Sequence, residues 1–223
     1  MPNNRSLKYF KQKQSVPLSR QAYNEIKEAI IQYALKPGDP LIEEQIAKNF
    51  NFSRTPVREA LKMLQNEGLV KIIPNKGAFV TEITKSDIEE IFVLREVLEC
   101  TALKLAVQRV NEDELSELET LLNKAEVDAK KNKRDSSIES DLKLHELIIK
   151  ASGYKKISEI LNVLNVQLLR SRYIGITVKG RIEKSIQEHK EILLAMKKRD
   201  GHLAEKLLKN HIRNVRDNLL IAL

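Results

Sequence analysis

Residues 41–80 constrain this chain more than any others; they read LIEEQIAKNFNFSRTPVREALKMLQNEGLVKIIPNKGAFV. Leu41, Ile42, Ile46, Ala47 and Phe50 recur at helical spacing, which gives a first helix one apolar face and leaves the other charged. A turn at Asn51-Phe52 follows. Ser53 then suits an N-cap, because its hydroxyl can accept a bond from an unpaired first-turn N–H, and Pro56 is tolerated in that first turn. The spacing predicts a second helix starting at Arg54, with Val57, Ala60, Leu61 and Leu64 buried and with Arg54, Thr55 and Arg58 exposed near its N-terminal end. Gly68 suits the end of that helix. Leu69 to Ile73 and Ala78 to Val80 then read as two strands joined by Pro74-Asn75-Lys76-Gly77. Helix, tight joint, helix and hairpin in this order predict a winged helix-turn-helix.

Such a second helix reads bases with its N-terminal end. The planar fork of arginine can pair with guanine O6 and N7 or hold a phosphate, and threonine adds a short hydroxyl contact. The expected DNA-contacting set is therefore Ser53, Arg54, Thr55 and Arg58 on the helix, with Lys76 and Gly77 at the wing tip facing phosphate. The competing reading is a capped amphipathic surface helix that never touches DNA. Charge favours the first: residues 1–82 hold 13 Lys and Arg against 8 Asp and Glu, whereas residues 83–223 hold 26 against 23.

On SRTPVREAL and on LxxEGLV, here Leu64-Gln65-Asn66-Glu67-Gly68-Leu69-Val70, the stretch from Leu18 to Thr81 resembles the DNA-binding domain of the GntR family of bacterial transcription regulators. The resemblance implies sequence-specific binding to double-stranded DNA, with repression as the family default. Protein two-fold symmetry then predicts a homodimer on a pseudo-palindromic operator.

Residues 1–14 carry Arg5, Lys8, Lys11 and Lys13 without an acidic residue and read as a basic flexible arm; they lack the apolar run of a secretory signal. No segment approaches the roughly 20 apolar residues of a membrane span, so no membrane partner and a cytoplasmic location are expected. Cys100 is the one cysteine, which excludes an intramolecular disulfide, and its helical surroundings suit a small core residue.

From Ser86 onward, long helical periodicity replaces alternation. The expected organisation is a winged domain over 15–82, a joint over 83–85 and a second domain over 86–223. Helices are predicted at 86–109, 112–131, 136–151, 155–173, 180–198 and 200–221, with caps at Ser86, Asn111 and Asp200 and a solvated loop from Lys130 to Asp135. The fold class is mainly α, with the winged helix-turn-helix and its small β-hairpin leading into an all-α antiparallel six-helix bundle.

The bundle contains all four histidines. Asp141 and His145 stand four apart on one helix face, with His189 and His211 on two later helices. Imidazole nitrogens with one carboxylate suit a divalent transition metal, zinc first, with nickel or manganese as alternatives. By spacing alone, histidines that are merely satisfied core or surface residues explain the pattern too. Residues 86–223 are, however, similar to the FCD-type effector domain of the FadR subfamily, in its VanR-like branch, whose metal-binding members carry Asp-x-x-x-His and two later single histidines. That resemblance implies a metal on Asp141, His145, His189 and His211 and leaves His202 a bystander. It departs at Leu144, where many relatives have an aromatic residue, and at Tyr154, where asparagine is common.

The same resemblance implies a small carboxylate or sugar-acid effector. Arg95 matches the family's first-helix arginine and could hold a carboxylate bidentately, unless it forms an interhelical salt bridge with Glu99 or another acid. Asn165 and Arg172 complete the expected effector set; Arg170 and Gln167 are weaker candidates. Two alternatives stay open at this point: a metal that is purely structural or itself sensed, and a metal-dependent hydrolase. The second lacks an aimed general base, since Glu146 and Glu188 adjoin ligands in sequence and point about 100 degrees away from them.

Overall fold

The structure, a computed structural model, describes residues 16–223, so the basic arm expected over 1–14 lies outside the described residues. The chain divides between Glu82 and Ile83 into two compact units.

The first unit runs α1 (Leu18–Ile31), β1 (Pro40–Leu41), α2 (Glu43–Phe50), α3 (Arg54–Asn66), β2 (Val70–Ile73) and β3 (Gly77–Val80). Ala22, Ile26 and Ile30 of α1 meet Val57, Ala60, Leu61 and Leu64 of α3 in a core that excludes water almost completely. Tyr23 donates to Glu67, and Lys27 reaches the other oxygen of that carboxylate at 2.6 Å, tying α1 to the end of α3. Asn51 ends α2 at φ 54, a left-handed conformation that asparagine tolerates, and α3 starts three residues later.

Two expectations need correction here. Leu41 and Ile42 do not belong to the first recognition-motif helix: Leu41 pairs with Ala78 as part of an edge strand, and Ile42 is the N-cap of α2, 45 % exposed. The sheet is therefore three-stranded, in the order β1-β3-β2, rather than a bare hairpin. Pro40 has no N–H to offer a ladder and so suits the first position of an edge strand, but two residues are too few for alternation to register. Ser53 does occupy the N-cap position of α3, yet its hydroxyl makes no capping bond; the residue is exposed and leaves the first-turn N–H groups facing outward.

The second unit is six helices: α4 (Lys85–Arg109), α5 (Glu112–Ala129), α6 (Asp135–Ser152), α7 (Lys155–Gly175), α8 (Arg181–Lys197) and α9 (Gly201–Ala222). Helix α4 packs on α6, α7 and α9, and α5 packs on α6 and α8. Asn111 and Asp200 cap as expected, accepting from the N–H groups of Glu114 and Leu203. Ser86 does not cap α4. Thr84 does, in a reciprocal capping box with Asp87, and Ser86 lies within the first turn. The residues expected as a joint, 83–85, thus comprise a buried Ile83, the cap and the first helical residue.

Two arginines lock the turns at one end of the bundle. Arg199, at φ 57, donates to the Val107 and Val110 carbonyls at 2.7 Å each, satisfying acceptors that the end of α4 leaves open. Arg109 donates to the Ser152 carbonyl at 2.5 Å, beside Gly153, whose φ of 72 ends α6. Cys100 is buried within α4, and burial, with Glu205, Glu96 and Glu99 nearby, pushes its thiol up to about 12. Native protein at pH 8 is therefore expected to leave a thiol-reactive disulfide dye unreacted, with one equivalent released on denaturation; rapid native labelling would contradict the burial. Among the described residues no helix is long and apolar enough to cross a membrane.

Candidate functional site

In the winged unit, α3 presents Arg54, Thr55 and Arg58 on its exposed face with Ser53 just ahead, and the β2–β3 loop leaves Lys76 and Gly77 exposed. That loop turns through Asn75 at φ 62, and Gly77 sits at φ 99, a value that a side chain rarely adopts. Both arginines are engaged by the preceding helix. Arg58 forms a fork with Glu43, its Nη2 at 2.8 Å and its Nε at 3.1 and 3.2 Å, and Arg54 meets Glu44 at 2.8 Å. The Arg58 hydrogen bonds hold Glu43 below its ordinary carboxylate value.

In the helical unit, Asp141 and His145 of α6, His189 of α8 and His211 of α9 bring four ligand atoms within 4.8 Å of one another. His189 Nε2 lies 3.2 Å from His211 Nε2 and 3.4 Å from Asp141 Oδ1, and His145 Nε2 lies 3.7 Å from the same oxygen. Ligands about 2.1 Å from a shared ion sit roughly 3.0–3.4 Å apart at octahedral or tetrahedral angles; the His189–His211 and His189–Asp141 spacings match that range, and His145 lies farther out and would have to move inward to share the same cation.

The protons point the right way as well. His145 Nδ1 lies 2.5 Å from Glu99 Oε2 and His211 Nδ1 lies 2.7 Å from Glu188 Oε2. Each carboxylate draws the ring proton to Nδ1 and leaves the Nε2 lone pair turned toward the cluster. His145 Nε2 is buried and has no hydrogen-bond partner. Burial, then neighbouring His211, drives His189 well below its ordinary value, and burial brings His211 down to about 4 against the pull of Glu188. Both rings are neutral donors near pH 7. Burial opposes charge on Asp141, but the Arg172 guanidinium prevails and keeps it ionised, well below the usual carboxylate range. Glu99 and Glu188 are held at about 2 in the same way, against burial, by Arg95 and His145 in one case and by His211 and Arg181 in the other.

Each supporting acid has a buried arginine behind it. Arg95 Nε donates to Glu99 Oε1 at 2.8 Å, Arg181 holds Glu188, and Arg172 Nε holds Asp141 Oδ2, which frees Oδ1 for the cluster. Asn214 adds a donor to Glu188 at 2.9 Å. Sequence reasoning missed Arg181 altogether, named Glu99 only as a salt-bridge partner for Arg95 and weighed Glu188 only as a general base. The signal available for Glu99 was its position four residues after Arg95. That same pairing corrects the expected alternative for Arg95: its salt bridge lies within one helix, not between two.

The expected effector residues do not converge. Asn165 and Arg172 line a cavity of about 600 Å³ together with His145, Glu99, Lys150 and Ser158. Arg95 lines a different, smaller chamber, and Arg172 borders both. Arg170 is buried and engaged, Gln167 is partly buried and lines neither space, and His202 is exposed on the first turn of α9, outside the cluster.

Comparison with known proteins gives two family matches: bacterial regulatory proteins of the gntR family over residues 18–80, and the FCD domain over residues 90–214. The HTH-type transcriptional regulator YdhC of Bacillus subtilis is 32% identical over 203 residues, covering 91% of each chain. The transcriptional repressor RspR of Escherichia coli K12 is 26% identical over 91% of this chain and 89% of its own. Among solved structures, McbR/YncC of E. coli superposes with a TM-score of 0.74 at 27% identity, over 92% of this chain and 98% of its own. A metal-free FCD domain superposes at 0.55 with 25% identity, over 63% of this chain and 96% of its own.

Proposed function

The chain belongs to the GntR family of bacterial regulatory proteins, with an FCD domain, and from that premise we propose that it is a repressor whose hold on DNA is set by a small acid bound beside a metal. It is a DNA-binding transcription regulator, as its relatives are, and not an enzyme. In this reading a cytoplasmic homodimer lays two copies of α3 in successive major grooves of a pseudo-palindrome, with Arg54, Thr55 and Arg58 reading bases and Ser53, Lys76 and Gly77 on the backbone. Exposed Val93, Leu94 and Val97 on one side of α4 support a dimer.

The observation that carries effector control is a shared wall. His145 belongs to the four-ligand cluster and also lines the 600 Å³ cavity, as do Arg172 and Asn165. Asp141, His145, His189 and His211 would hold a divalent transition metal, zinc by their donor set, and the ion would supply a Lewis-acid anchor for a carboxylate. Arg172 is placed to hold the acid's charge and Asn165 its polar end. A ligand that stabilises one packing of the helices then changes operator affinity only through its different affinity for the two states.

The complete burial of His189 and His211 favours one other reading, a structural or sensed metal whose four protein ligands need no organic partner. Binding-site selection from random duplex DNA, followed by titration of the selected site with short carboxylates and sugar acids in zinc buffer, separates them. A palindromic site and a shift of about fivefold or more with one acid are expected. Operator affinity unmoved by every acid that binds the protein would leave the metal with the structural or sensing role.

A further inference from the structure

We propose that Glu44, in the first turn of α2, is a base-reading residue: its carboxylate accepts from the N4 amino group of a cytosine in the major groove, next to the guanine held by Arg54. The proposal rests on the reading that the N-terminal end of α3 enters that groove.

The first turn of α2 flanks that end of α3, and its two acids are differently placed. Glu43 gives both oxygens to the Arg58 fork, and its side chain is 32% exposed, so it holds an arginine and has little left to offer. Glu44 meets Arg54 Nη2 through Oε2 at 2.8 Å, and its side chain is 71% exposed. An ionised carboxylate has about four acceptor positions, and a single ion pair leaves most of them open. Stability does not explain this acid. An ion pair between two side chains this exposed contributes little to folding, and the favourable charge at the start of α2 is already supplied by Glu43.

Beside DNA the same charge is consequential. Where Arg54 reaches a base edge, a carboxylate paired with its guanidinium lies at that edge too, in the field of the phosphates. Being an acceptor only, it is repelled by guanine O6 and N7 and by thymine O4, and it is favoured by an exocyclic amine. Adenine sets the acceptor N7 beside its amine, whereas cytosine presents N4 alone, so an isolated acceptor prefers cytosine. The Arg54–Glu44 pair is thus complementary to a G·C pair, which offers the acceptors of guanine and the donor of cytosine on one groove edge. Glu44 discriminates twice, by accepting from cytosine and by rejecting bases that turn acceptors toward it.

The test uses the full-length chain, the operator selected from random duplex DNA, and that operator with each cytosine of a half-site replaced in turn by 2-pyrimidinone, which lacks the N4 amine. Wild-type protein is expected to lose about fivefold or more in affinity at one such cytosine, and Glu44→Ala to be indifferent to the replacement there. Glu44→Gln, which sets a donor beside its acceptor, should shift the preference at that position toward adenine. Because Glu44 is exposed, both variants should melt with the wild type. No sensitive cytosine, or a Glu44→Ala protein that keeps the wild-type ranking while binding every sequence alike more tightly, overturns the proposal. Discrimination lost only at the guanine of Arg54 overturns it as well, and makes Glu44 a positioning residue. Arg54→Ala and Arg58→Ala binding like the wild type would overturn the groove reading and this proposal with it, whereas the expected arginine losses beside silent Glu44 variants overturn this proposal alone.

Discussion

Replacing His189 with alanine is expected to empty the helical unit of its metal: wild-type protein purified without chelator should carry one divalent ion per chain by elemental analysis, and His189→Ala none. His189 is the informative ligand to remove. Its Nδ1 has no hydrogen-bond partner, so its loss strands no acid, whereas truncating His145 or His211 takes a partner from Glu99 or Glu188. The stability readout follows by mass action. A metal held a thousandfold above its dissociation constant adds about 4 kcal/mol, or roughly 8–16 °C in Tm for a chain of this size, which chelation removes from the wild type. The variant should melt at one temperature with or without chelator. A folded wild type without metal would reduce the four residues to a packed, hydrogen-bonded core, and full metal content in the variant would move the site elsewhere.

What the sequence disclosed and what it hid follow from how far each feature reaches along the chain. Asp141 and His145 were visible as a pair because four residues on one helix share a face, and α4–α9 were visible because apolar periodicity is a local signal. The hold of Glu99 on His145 and of Arg181 on Glu188 was not. Their roles exist only once α4 lies beside α6 and α8 beside α9, and nothing local distinguishes a buried acid that steers an imidazole from one that faces water. Arg95 shows the same limit from the other side. Its match to an effector arginine grouped it with Asn165 and Arg172, but the helices place it in another chamber, and only Arg172 spans the two. In the winged unit the sequence reading named no helix over α1 and missed β1, whose two residues gain their strand character wholly from pairing with β3. Local capping also misled at Ser86, where Thr84 wins because Asp87 can complete the reciprocal bond.

Arg58→Ala is expected to weaken binding to the selected operator by about 1–3 kcal/mol, some 5- to 150-fold, with specificity relaxed at one base position. Arg54→Ala should behave alike at a different position. In the free protein both arginines are paired, Arg58 to Glu43 and Arg54 to Glu44, so DNA must either displace those acids or accept the forks where the acids hold them. Exchange is cheap, because the Arg58 and Arg54 side chains are 61% and 59% exposed and such surface pairs contribute little. The two roles for an arginine differ in what they leave behind. Loss of a base contact removes discrimination at that position and keeps the ranking elsewhere, whereas loss of a phosphate contact weakens every sequence equally and lowers the salt slope by about one. Quantitative binding across single-base variants of the operator, at two salt concentrations, separates these outcomes. Unchanged affinity in both variants would mean that this end of α3 does not enter the groove, and the docking of the winged unit would have to be assigned to another face.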